Sequence, residues 1–177
     1  MTNQQQQNSL LQGVFMAVDS AKTNMEIVKV LEICRDVELA NAALYHYFAE
    51  IFRGDDEVAA LWHKTALEEE NHAKQFVLGI NMRKEQIVES LTIDGSKAKD
   101  LLDFVKSLSA EVRTSPPDKV EALRIAINLE ERLVGFHMTT VAGFADNNLK
   151  KLFTAMMKSD DHHVEKLHEM HQRLLTL

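Results

Sequence analysis

The sequence predicts an all-α fold, a bundle of four long helices, and three observations lead there. Apolar residues recur at spacings of three and four over long stretches, the period of a helix with one buried face. The 177 residues include only 2 prolines and 6 glycines, too few breakers for a strand-rich fold with many turns. One pattern of carboxylate and histidine is also stated twice: Glu38 precedes Glu69-x-x-His72, and Glu130 precedes Asp160-x-x-His163. A lone carboxylate on one helix with carboxylate-x-x-His on the next, used twice, is the ligand set of a two-metal site inside a four-helix bundle.

The elements follow in order. Residues 1–8, rich in glutamine, read as a tail, and residues 9–20 are apolar enough for a short lead-in helix. The first long helix should run from about Met25 to Phe52 on a stripe of Leu31, Cys34, Glu38, Ala42, Tyr45, Ala49 and Phe52. Gly54 stops it, and Asp55 or Asp56 can cap the second. That second helix should reach from about Glu57 to near Ser90, with Trp62, Ala66, Glu69, Ala73, Phe76 and Ile80 on one face and His72 a turn on from Glu69. Thr92 to Ser96 reads as a break. Leu101, Phe104, Val105, Leu108 and Val112 then make a shorter amphipathic helix, which Pro116-Pro117 end. Pro117 can occupy the first turn of the next helix. The third long helix carries Leu123, Ile127, Glu130, Val134, His137 and Val141. Gly143 to Asn148 is a turn. The last helix, from about Leu149, places Phe153, Met156, Asp160, His163, Leu167, Met170 and Leu174 on one face.

Hairpin geometry agrees with the doubled motif. In an antiparallel helix pair, residues equally far from the turn lie at the same height. The midpoint of Glu38 and Glu69 is 53.5, at Arg53-Gly54, and that of Glu130 and Asp160 is 145, inside the second turn. Each carboxylate pair should therefore meet about 20 Å from its loop, at about 1.5 Å of rise per residue. The connection from His72 to Glu130 is long and holds a helix of its own, so the second hairpin need not be a simple up-down neighbour of the first.

Carboxylates inside apolar stripes need a reason, because burying an unpaired charge is strongly unfavourable. Four carboxylates and two histidines at one level repel one another without cations, and two divalent ions supply about four positive charges. Residues three apart share a helix face, so each carboxylate-x-x-His can bind one centre. Mixed oxygen and imidazole ligation suits iron or manganese, and zinc can occupy such a site. Taken singly, the motifs are weak: Glu68-Glu69-Glu70 reads as a solvated face, and Asp160-Asp161-His162-His163 as an exposed charged turn. Their order, stripe placement and hairpin midpoints all agree, which favours the two-metal reading over these surface ones. Glu131 in place of Glu130 has a more polar stripe of Arg124, Asn128, Gly135 and Met138, and Asp161 with Glu165 lies off the Phe153, Met156 and Leu167 face.

Tyr45 and His137 each stand seven residues beyond a ligand glutamate, two turns along the same face. Each is a candidate to hydrogen-bond near the site or to take part in redox steps; the alternative is a buried ring with a satisfied polar atom. Cys34, one turn before Glu38, reads as a small buried thiol. His46, His63, His162, His168 and His171 read as surface residues.

Composition narrows the partners. A net charge of -7 disfavours nucleic acid and anionic membrane surfaces, which call for basic patches. No apolar stretch reaches the roughly 20 residues of a membrane span, and the N-terminal residues lack the basic and apolar regions of a signal peptide. The single cysteine excludes an intrachain disulfide and a four-cysteine zinc or iron site. A cytoplasmic, single-domain protein is the expectation, with neither nucleic acid nor membrane as partner.

The segments Glu38-Leu-Ala-Asn-Ala-Ala-Leu-Tyr45 and Glu68-Glu-Glu-Asn-His-Ala-Lys-Gln-Phe76 resemble the first two helices of the rubrerythrins, di-iron carboxylate proteins of the ferritin-like superfamily. The resemblance covers roughly residues 25–90 and 117–170. It implies a ferritin-like four-helix bundle with a long crossover between helices two and three. It also implies two iron ions, one held by Glu38, Glu69 and His72 and the other by Glu130, Asp160 and His163. The implied activity is reduction of peroxide or dioxygen by an oxidoreductase that draws on an external electron donor, in a homodimer. This chain departs from the family in three ways. Asp160 stands where glutamate is usual, Leu133 stands where a second third-helix glutamate is usual, and with Cys34 alone there is no rubredoxin-like domain. Two other readings share the same residues: a ferroxidase that feeds an iron-storage shell, and a metal-binding bundle without catalysis.

Overall fold

The computed structural model describes the backbone of residues 3–84, 95–141 and 147–176. Side chains are described for 25–82, 95–136 and, in the last helix, 147–148, 150–151, 154–155, 158 and 163–176. Among the described residues there are five helices and no strand: α1 (Asn3–Ile51), α2 (Asp56–Lys84), α3 (Gly95–Thr114), α4 (Lys119–Val141) and α5 (Asn147–Leu175).

Helix α1 starts earlier than its apolar stripe implied. It opens at Asn3, so the stretches expected as a tail and as a separate lead-in helix are continuous with Met25 to Ile51. Glutamine, leucine and methionine are good helix formers and no proline interrupts them, so helix propensity carries α1 beyond the reach of its apolar stripe. The expected end of α2 beyond Lys84, the break at 92–94 and residues 142–146 of the second turn lie outside the described residues. Asn147 and Asn148, expected in that turn, belong to α5.

The helix starts are fixed by aspartates. Asp55 Oδ1 accepts the Val58 amide at 3.2 Å, and Asp118 Oδ1 accepts the Glu121 amide at 2.8 Å. Each satisfies a backbone donor that a helix start leaves unpaired. The second contact corrects the expectation for Pro117. The cap is Asp118, so Pro117 lies just before the helix and not in its first turn. Lys119 Nζ also reaches Asp55 Oδ2 at 2.5 Å, which ties the start of α4 to the α1–α2 turn.

Contacts between helices give their directions. His46 meets Glu70 and His72 lies near Glu38, so α1 and α2 run antiparallel. Tyr45 meets Glu130 while Lys119 meets Asp55, so α4 runs down α1. His163 meets Glu68 while Arg173 meets Glu57, so α5 runs antiparallel to α2. Helix α3 runs parallel to α1: its start lies against Val30, and the Val112 carbonyl near its end accepts the Tyr47 hydroxyl at 3.2 Å. A Cβ at Gly95 would sit 3.0 Å from Val30 Cγ2, so glycine allows α3 to begin that close to α1. Because α3 returns along α1, α2 and α4 point the same way.

The core divides into two apolar clusters. One gathers Val37, Leu44, Tyr45, Phe48, Trp62, Ala66, Leu123, Leu133 and Leu167 with their neighbours. The other gathers Ile27, Leu31, Cys34, Phe76, Ile80 and Ala98. Burying each large side chain contributes about 1.5–3 kcal/mol. On α2, Glu69 and His72 fall between Ala66 of the first cluster and Phe76 of the second. The polar residues thus form a layer across the bundle. No helix among the described residues is long and apolar enough to cross a membrane.

Candidate metal centre

Five of the six expected ligands come together in that layer. Glu38 enters from α1, Glu69 and His72 from α2, Glu130 from α4 and His163 from α5, all between 0% and 2% exposed. Glu38, Glu69 and His72 bring donor atoms within 4.8 Å of one another, and so do Glu69, Glu130 and His163. Glu69 belongs to both groups. The side chains of the sixth expected ligand, Asp160, and of His137 lie outside the described residues.

The two oxygens of Glu69 divide between the imidazoles. Oε2 lies 3.4 Å from Nδ1 of His72, and Oε1 lies 3.4 Å from Nδ1 of His163. Nδ1 of His72 is also 3.8 Å from Oε2 of Glu38. The rings of His72 and His163 stack with centroids 5.7 Å apart and planes 23° from parallel. Burial works to raise the Glu69 carboxyl, but the two imidazoles beside it and the charge of His72 hold it well below the usual carboxylate range. It is the carboxylate and not the acid that faces both groups.

Three neighbours orient the donors. Tyr45 donates from its hydroxyl to Glu130 Oε1 at 2.5 Å, and the Asn41 amide nitrogen donates to the same oxygen at 3.3 Å. Burial, with the charges of Glu130 and Glu69, raises the Tyr45 phenol well above its ordinary value, so it remains a donor. On the far side of His163, Nε2 is 2.8 Å from Oε2 of Glu68. A carboxylate on the outer nitrogen fixes the tautomer and rotation of an imidazole, leaving the other nitrogen to face a metal. Tyr45 was a candidate from the sequence; Asn41 and Glu68 were not. The signal for Asn41 is an amide in an apolar stripe, one turn beyond Glu38. For Glu68 it is the step of about 100° around a helix from its neighbour, which turns it from α1 toward α5.

The other sequence candidates separate cleanly. Glu131 and Glu165 are exposed and Glu130 is buried, as the stripe register required. Cys34 is buried; burial, followed by the charge of Glu38, raises its thiol far above the ordinary value. It is inert as a nucleophile. His63 and His168 are exposed, whereas His46 and His171 are half-buried. The His162 side chain lies outside the described residues.

The donor set fits a metal pair. Three carboxylates and two imidazoles, nearly all removed from water, form an oxygen-rich mixed set of the kind that holds iron, manganese or zinc. Comparison of the chain with protein-family models, with curated proteins and with solved structures gives no match.

Proposed function

We propose that the chain is a non-haem di-iron protein of rubrerythrin-like type, an oxidoreductase that reduces peroxide or dioxygen with electrons from an outside donor. The observation that carries this reading is Glu69, one carboxylate common to two buried carboxylate–histidine groups. Glu38 and His72 complete the first group. Glu130 and His163 complete the second, which Asp160, one turn before His163, would join by the resemblance. The helix directions support the same reading: α2 and α4 run in parallel, linked by α3 returning along α1, which is the ferritin-like arrangement.

When bound, iron supplies the redox electrons and a Lewis-acid centre for the oxidant. The protein's own residues do the rest. Glu69 spans the two groups with one oxygen toward each. Tyr45 and Asn41 fix the plane of the Glu130 carboxylate, and Glu68 fixes the His163 ring. The apolar clusters above and below keep bulk water from the layer, which strengthens each electrostatic contact within it.

The test is to measure bound metal and then mix the reduced protein, without air, with peroxide or with dioxygen. About two irons per chain and faster oxidation by peroxide are expected. A purified chain unable to take up iron overturns the reading. Oxidation by dioxygen alone, in a large iron-filled shell of subunits, would instead identify a storage ferroxidase.

A further inference from the structure

A groove of about 380 Å³ lies between α3 and α4, apart from the buried layer. Lys97, Leu101 and Phe104 line it from α3, and Arg132, Gly135 and Phe136 line it from α4. Leu101 and Phe104 pack on the larger apolar cluster and Phe136 on the smaller, so the groove is anchored to the core. The Arg132 guanidinium carbon stands 4.3 Å from the centre of the Phe104 ring. Gly135 lies inside α4, and a Cβ there would meet nothing within 4 Å. No close approach requires glycine at that position, and glycine inside a helix is unfavourable against alanine. What its missing side chain does is hold the groove open.

We propose that this groove binds a small aromatic monocarboxylate, its ring over Gly135 and its carboxylate on Arg132. The volume and the lining, apolar side chains with a few charged groups, are those of a small-molecule pocket. Two phenyl side chains favour an aromatic guest, which can stack on them or meet them edge to face. A guanidinium stacked on a ring keeps its N–H donors in its own plane, where they can hold a carboxylate by two parallel hydrogen bonds. Arg35, Arg53, Arg124 and Arg173 each meet a carboxylate of this chain. Arg132 meets the Phe104 ring instead, and among the described residues no carboxylate pairs with it. The stack already orients the guanidinium, which lowers the entropy lost when a guest binds. Asp100 also lines the groove. It lies one turn from Lys97 on the same helix face and offsets that charge, so Arg132 is the anchor and a second anionic group on the guest is disfavoured.

Calorimetric titration of the full chain with naphthoate tests this. Wild type should bind one naphthoate per chain. Arg132→Gln, which removes the charge, should weaken binding at least about tenfold, and Gly135→Phe, whose ring would occupy the groove, should abolish it. Both positions are exposed, and a thermal melt matched to wild type verifies that each variant is folded. Naphthalenemethanol, an uncharged guest of the same shape, should bind wild type about tenfold more weakly than naphthoate and be indifferent to Arg132→Gln. Glu69→Gln, whose lesion lies in the buried layer, should bind naphthoate as wild type does, so failure of the groove and failure of the iron centre are distinguishable. Equal binding by wild type and both groove variants overturns the proposal, as does no binding to wild type at about 1 mM naphthoate. Octanoate bound as tightly as naphthoate overturns the aromatic class.

Discussion

Replacing Tyr45 by phenylalanine deletes one oxygen from the core and one hydrogen bond from the centre. The hydroxyl donates to Glu130 Oε1 at 2.5 Å in a fully buried setting, so no water takes its place. A hydrogen bond to a charged partner contributes about 1.5–3 kcal/mol. The phenyl ring retains its stack on Trp62, at 5.5 Å between centroids and 27° between planes, so the substitution reads the hydroxyl with little change in packing. In a chain of this size each kcal/mol shifts Tm by about 2–4 °C, which gives an expected fall of about 3–12 °C for metal-free Y45F. Thermal unfolding followed by circular dichroism measures it. Asn41→Ala and the double variant complete a cycle, because Asn41 donates to the same oxygen at 3.3 Å. Groups sharing a partner couple by about 0.5–3 kcal/mol. A Y45F protein that melts with wild type, or two substitutions that add independently, would refute the argument that these donors jointly fix Glu130.

Other perturbations separate the parts of the structure. Glu38→Ala should lose one bound metal of two and Glu69→Ala both, by elemental analysis of purified protein, because among the described residues Glu69 is the one that belongs to both groups; equal losses would contradict a shared carboxylate. Trp62→Ala empties a site at 0% exposure between Tyr45 and Phe48 and should cost about 3–5 kcal/mol in denaturant unfolding. Asp55→Asn should flatten stability against pH in acid. Hydrogen bonds from Lys119 and from the Val58 amide lower the Asp55 carboxyl in the folded chain. Its contribution is therefore complete above its unfolded value of about 3.9 and disappears as pH falls through the lower folded one. An unchanged acid limb in D55N, followed by urea unfolding at successive pH values, would remove Asp55 as its source.

The stripe around Glu38, Glu69 and Glu130 was legible because one period, three to four residues, governs both helix burial and ligand convergence. Leu31, Cys34 and Tyr45 on α1 and Trp62, Ala66 and Phe76 on α2 fixed the inward faces, and the glutamates between them shared those faces. Helix starts were less legible. Asp55 is marked as a cap by its place after Gly54, whereas Pro117 and Asp118 stand side by side as two candidate helix-start residues, and it is the Asp118 carboxylate that makes the cap. The start of α1 at Asn3 is not legible because helix propensity without an apolar stripe leaves no periodic mark. Glu68 was hidden for a different reason. Its function depends on α5 arriving beside α2, a contact between residues 95 positions apart, and no local pattern encodes that.

The doubled motif turns out to be unequal in space, and α2 is the reason. In sequence, Glu38 with Glu69-x-x-His72 and Glu130 with Asp160-x-x-His163 look like copies. Among the described residues, α2 is the helix whose carboxylate and imidazole donors face both halves: Glu69 faces both imidazoles, His72 completes one half, and Glu68 holds the outer nitrogen of His163 in the other. Helix α1 gives one donor, Glu38, to the first half and holds Glu130 of the second through Tyr45 and Asn41, while α4 gives one donor to the second. Displacing α4 therefore disturbs one group, and displacing α1 moves one donor and the hydrogen bonds that hold Glu130, whereas rotating α2 moves donors of both groups and the tether of His163. Leu133, one turn beyond Glu130 and 1% exposed, belongs to the apolar cluster beside Tyr45 and Trp62. That side of the second group is closed by a hydrocarbon side chain and not by a further carboxylate. The orientation of α2 is thus the structural variable that sets the spacing of the two groups, and the short α1–α2 turn at Phe52–Asp55, tied to α4 through Lys119, is what holds it.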